Sequence, residues 1–104
     1  MDNILTQLQN TLEERKKETS DNSYVASLYE KGLNEILKKI GEESAEVIIA
    51  GKEENKKQII YEVSDLFFHI MVLLRQQNID IKDIEEELQR RFGLSGLIEK
   101  QNRK

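Results

Sequence analysis

Five carboxylates stand at helical spacing in two short stretches, GEESAE at 41–46 and EVSD at 62–65. Glu43 and Glu46 are three apart, Glu42 and Glu46 four apart, and Glu62 and Asp65 again three apart. Within each stretch the acids therefore share one surface of a helix. Glu43 also falls on the line of Ile36, Ile40 and Val47, where a packed helix carries apolar residues. Carboxylates gathered in a partly dry place repel one another, and an unpaired buried charge is costly. The remedies are raised pKa values, pairing with lysine or arginine, or a divalent cation. Oxygen ligands in a chain without cysteine suit a hard ion, and Mg²⁺ shares its shell with substrate phosphates and water. A carboxylate-held Mg²⁺ acting on phosphates is one natural use of this layout. The bland alternative is a solvated acidic face, with Glu42 paired to Lys38 or Glu43 to Lys39 at i,i+4.

The elements that must position these acids are helices. The 104 residues suit a single domain, 1–104, and contain no proline and only five glycines. No stretch alternates apolar and polar residues as a strand would. A first helix is expected over 2–18, carried by Ile4, Leu5, Leu8 and Leu12. ETSDNS at 18–23 is a loop rich in capping residues, followed by a short helical piece over 24–32. The second main helix is expected over 33–50, with Gly51 placed to end it. A third over 53–76 presents Ile59, Val63, Leu66, Ile70 and Leu73 on one face. Asp80 can cap a last helix over 81–92. The fold class is all-α, a bundle of four to five helices. Its two acid-bearing helices are antiparallel neighbours that set their acids at similar height.

Charge and hydropathy exclude several functions. A net charge of −4 leaves no broad basic footprint for nucleic acid. The longest apolar run, LFFHIMVLL, falls far short of the ~20 residues of a membrane span. The start MDNILTQLQN lacks the layout of a secretory signal, so a cytoplasmic protein is expected. A di-iron carboxylate site needs two Glu-x-x-His pairs. The one histidine, His69, stands four residues after Asp65, so that option is poor. His69 reads as a hydrogen-bonded core histidine, and a bond back to Asp65 would orient that acid.

GEESAE followed by EVSDLFFH resembles the EExxE…ExxD signature of the all-α NTP pyrophosphatase (MazG-like) superfamily. Within it, SYVASLYEKG at 23–32, KKIGEESAEVIIAGK at 38–52 and RRFGLSGLIEK at 90–100 resemble the phosphoribosyl-ATP pyrophosphatases. The likeness runs over about 5–103, and the flanking segments are more specific than the acidic signature. The resemblance implies Mg²⁺-dependent hydrolysis (Mn²⁺ as a substitute) of 1-(5-phosphoribosyl)-ATP to 1-(5-phosphoribosyl)-AMP and pyrophosphate, in histidine biosynthesis. It implies Glu43, Glu46, Glu62 and Asp65 as metal ligands, and Glu42, Glu43 and Glu46 as catalytic acids, Glu42 being either a further ligand or the base that orients water. Lys39 is the first candidate for phosphate binding, with Lys38 and Lys52 behind it. Ser23 and Tyr24 match the family's SY segment and suit ribose or base contacts, or else a cap and packing. Arg91, Ser95, Gly96 and Lys100 match the C-terminal segment, toward substrate or a subunit interface. The resemblance also implies a homodimer. It points to a form without the cyclohydrolase domain to which some relatives are fused, and to docking with that enzyme as a separate partner. A house-cleaning pyrophosphatase for ordinary or damaged nucleoside triphosphates and a non-enzymatic helical module remain as rivals.

Overall fold

A computed structural model describes residues 3–92. Among these residues there are five α-helices and no strand. They are α1 (Ile4–Glu14), α2 (Tyr24–Lys31), α3 (Leu33–Lys52), α4 (Lys56–Gln76) and α5 (Ile81–Arg90), with a 3₁₀ turn at Arg15–Lys17 after α1. Short polar side chains start most of them. Asn3 accepts from the Thr6 N–H at 2.8 Å, Ser23 from Ala26 at 3.1 Å, Asn55 from Gln58 at 3.1 Å and Asp80 from Lys82 at 2.9 Å. Each satisfies an N–H that the first helical turn leaves open.

Helix ends differ from the sequence expectation: α4 begins at Lys56 rather than Glu53, and α5 ends at Arg90 rather than Phe92. Gly51 does not end α3, which runs on to Lys52. The reversal is made instead by Glu54, in the left-handed region at φ 57°, and by Asn55, which caps α4. The first helix stops at Glu14, because the chain tightens into the 3₁₀ turn before the polar loop.

Glycine is needed at position 32, which ends α2 and begins α3 with φ 94° and ψ −174°. That region is open essentially to glycine alone and costs other residues about 1–3 kcal/mol. Nothing lies within 4 Å of an added Cβ, so backbone strain is the whole penalty. Gly32→Ala is expected to lower Tm by roughly 5–15 °C in a thermal scan.

The core joins Leu12 of α1, Val25 and Leu28 of α2, Ile36 of α3, Met71, Val72 and Leu74 of α4, and Ile81 of α5. Gln9 ties α1 to the start of α5: its carbonyl oxygen accepts the Ile81 N–H at 2.7 Å, and its amide donates to Asp80 at 3.3 Å. On α4 the deepest side chains are His69, Met71, Val72 and Leu74, whereas Ile59, Val63, Leu66, Ile70 and Leu73 are half-buried. A helix that is apolar nearly all round does not declare from its own pattern which face is deepest.

This core occupies the first half of α3 and the second half of α4. The other halves, joined by the short connection at Glu53–Asn55, project past it as a two-helix arm. Ile48 is 71% exposed there, Ile60 68% and Tyr61 58%. No described helix is long and apolar enough to cross a membrane.

Candidate metal centre

The acids belong to the seam between α3 and α4. Along α3, Ile36, Ile40, Glu43, Val47 and Ala50 recur at steps of three or four, and along α4 Glu62, Asp65, His69 and Val72 do the same. Every one of these side chains is buried or half-buried. Two antiparallel helices with such a repeat press these positions together. At two levels of the seam, carboxylates stand where leucines would otherwise pack.

At the level nearer the core, Glu43, Asp65 and His69 each offer a ligand atom, all within 4.8 Å of one another. One turn along, Glu46 and Glu62 line a cavity of about 260 Å³ with Glu53, Asn55 and Gln58. The structure thus groups Glu43 with Asp65 and Glu46 with Glu62, and adds His69 to the first pair. Glu62 is 8% exposed, so its carboxylate is the more deeply enclosed. Glu42 lies off the seam, exposed, with Lys39 at 3.7 Å. Lys39 therefore meets Glu42 at i,i+3, and neither i,i+4 pair considered from the sequence forms. Among the described residues no lysine or arginine forms an ion pair with Glu43, Glu46, Glu62 or Asp65.

Partial burial pushes the Glu43 carboxyl above the usual carboxylate range, and its side-chain hydrogen bond with Asp65 and the charges of Asp65 and Glu62 push it further. His69 works in the other direction. Two carboxylates crowded across one seam form a site that a divalent cation would occupy by relieving their repulsion. The donor set of carboxylate oxygens suits a hard ion.

His69 is buried and uses both ring nitrogens. Nδ1 lies 2.9 Å from the Asp65 backbone carbonyl, which can only accept, so Nδ1 carries the proton. Nε2 then accepts from the Tyr24 hydroxyl at 2.9 Å. The expected bond back to Asp65 is present, but it reaches the carbonyl; the carboxylate oxygen is 3.8 Å away. Tyr24 and Phe68 meet the imidazole edge-on, at 5.9 and 5.5 Å between centroids. Sequence spacing held no signal for the Tyr24 contact, which joins the start of α2 to α4. Burial raises the Tyr24 pKa, and the charges of Asp65, Glu43 and Glu35 add to that rise while Lys39 opposes it. Tyr24 therefore stands at the edge of the acid cluster, within the field of Lys39.

The remaining candidates are more dispersed. Ser23 is the α2 cap and lines the cavity beside Tyr24. Lys52 lies in the last turn of α3, nine residues beyond Glu43 and hence about 13 Å along the axis. Arg91 caps α5 and is held by Glu87 at 3.0 Å. Arg90 and Arg91 together hold the Glu87 carboxyl down at about 2. Ser95, Gly96 and Lys100 lie outside the described residues.

Comparison with known proteins identifies the family. The family model described as phosphoribosyl-ATP pyrophosphohydrolase matches residues 5–92. The phosphoribosyl-ATP pyrophosphatase of Vesicomyosocius okutanii is 59% identical over 99% of this chain and 98% of its own length. That of Geobacter metallireducens is 51% identical over 98% and 94%, and that of Neisseria meningitidis 46% identical over 95% and 92%. A match of this extent, on a chain whose acids meet across one helix seam, shows that the protein belongs to the phosphoribosyl-ATP pyrophosphohydrolase family.

Proposed function

We propose that this chain hydrolyses 1-(5-phosphoribosyl)-ATP to 1-(5-phosphoribosyl)-AMP and pyrophosphate, the second step of histidine biosynthesis. The observation that carries the proposal is the meeting of Glu43 and Asp65 across the α3–α4 seam without a cationic partner, in a chain of this family. Glu43 and Asp65 would hold Mg²⁺, with Mn²⁺ as a substitute, and Glu46 and Glu62 would complete the acidic lining one turn away. When bound, the ion neutralises polyphosphate charge and makes a nearby water more acidic. Lys39, one turn before Glu43, faces the same end of the seam and would carry part of the phosphate charge; Lys52 is too far along α3 to share that task. Glu42 stands off the seam and open to solvent, which suits a proton acceptor at the rim better than a ligand. His69 holds the backbone at Asp65, and Tyr24 holds His69. A second copy would cover Ile48, Ile60 and Tyr61 on the exposed arm, and a cytoplasmic homodimer fits that surface.

Purified protein with Mg²⁺ and phosphoribosyl-ATP should release pyrophosphate, at a kcat/KM far above that for dNTPs measured in parallel. A preference for dNTPs would instead make the chain a house-cleaning pyrophosphatase.

A further inference from the structure

A second cavity, of about 370 Å³, opens where α1, the 3₁₀ turn and the start of α2 meet. Its wall includes Leu8, Arg15, Asn22, Ser23, Tyr24 and Phe68. It is separate from the acid cluster but adjoins it. Phe68 also lines the shallow depression that contains Asp65, and Tyr24 faces His69 with its hydroxyl. The volume lies within the roughly 300–1,000 Å³ of small-molecule sites, and the wall combines flat aromatic and apolar surface with a few polar groups.

Among the described residues no carboxylate lines this cavity, and its one cation is Arg15. The neighbouring Lys16 is committed elsewhere, to Glu13 at 3.2 Å and Asn78 at 3.2 Å, with its ammonium over the Tyr29 ring. Arg15 has only a long, solvent-exposed contact with Glu18 at 3.8 Å. A guanidinium so placed matches a phosphate, which it can grip through two parallel N–H donors.

Resting on the function proposed above, the substrate bears two anionic groups at opposite ends of a nucleoside. The acid cluster would serve the polyphosphate, and among the described residues nothing in that cluster would serve the 5-phosphate of the second ribose. We infer that the cavity beside Tyr24 receives the phosphoribosyl arm, that Arg15 pairs with its phosphate, and that Arg15 thereby separates this substrate from plain nucleoside triphosphates. Tyr24 and Phe68 stand between the two subsites, where they can flank the base.

Steady-state kinetics of Arg15→Gln test this. KM for phosphoribosyl-ATP should rise about ten- to a hundredfold, the range of a lost charge-assisted pair. The Ki of ATP as a competing ligand, which lacks the arm, should move less than twofold. Ribose 5-phosphate should inhibit the wild type and lose that effect in Arg15→Gln, and Arg15→Lys should recover part of the KM. A thermal scan checks that both variants fold. An unchanged KM for phosphoribosyl-ATP, or equal losses for it and for ATP, overturns the inference and leaves the proposed reaction standing. A wild type that does not cleave phosphoribosyl-ATP overturns the reaction itself, and the role of Arg15 with it.

Discussion

Asp65→Asn is expected to lower pyrophosphate release by about two to three orders of magnitude, and Glu43→Gln by a similar factor, with the helices intact. Each change keeps the volume of the side chain and removes one of two charges that meet across the seam, so packing is preserved while the attraction for a cation is lost. The stability of the metal-free protein should move the opposite way. The Glu43 carboxyl is raised above its ordinary pKa, so its favourable contribution is complete below the unfolded-state value and is lost as pH rises through the folded value. Once ionised, Glu43 therefore opposes folding. Removing a like-charge contact of roughly 0.2–0.5 kcal/mol should raise Tm by about 1–4 °C in Glu43→Gln. That difference should close as pH falls below the ordinary carboxylate range. Mg²⁺ should raise the Tm of the wild type and leave that of Glu43→Gln almost unmoved. Turnover that survives both substitutions would remove these acids from the reaction.

What made the seam legible was a conflict within the sequence. Glu43 occupies an apolar position between Ile40 and Val47, and Glu62 and Asp65 lead straight into LFFHIMVLL. Helical period alone was enough to pair the two stretches, because a short connection forces antiparallel neighbours. Three features were not legible, each for a physical reason. Gly51 looks like a terminator, but a helix tolerates one glycine when a later residue takes the reversal, as Glu54 does at φ 57°. The division of the acids into a Glu43–Asp65 level and a Glu46–Glu62 level depends on how the helices slide past each other, which spacing does not determine. The bond from Tyr24 to His69 spans 45 residues and arises only when α2 packs over the start of the seam. The matching SY segment offered Tyr24 as a ribose or base contact or as a packing residue, and the fold supplies a structural partner, His69, that spacing could not name.

His69→Ala is expected to be the most destabilising single change in the acid cluster, at about 2–4 kcal/mol and roughly 10–25 °C in Tm. The imidazole is 4% exposed and fills the space between Tyr24 and Phe68, so truncation leaves a hole and removes the partner of the Tyr24 hydroxyl. Tyr24→Phe removes one hydrogen bond and keeps the ring, so its cost should be about 1 kcal/mol. The pair also separates two roles for His69. If Nε2 were needed as a ligand, freeing it by Tyr24→Phe would strengthen Mn²⁺ binding measured by calorimetry. If His69 instead orients Asp65, Tyr24→Phe should weaken Mn²⁺ binding by less than tenfold, and His69→Ala by about ten- to a hundredfold. The second pattern is expected, because Nδ1 grips the backbone of Asp65 and Nε2 is already satisfied by a hydroxyl that packs against the same ring. A ligand role would require the protein to break a part-buried hydrogen bond each time the metal entered, whereas an orienting role leaves both bonds in place throughout.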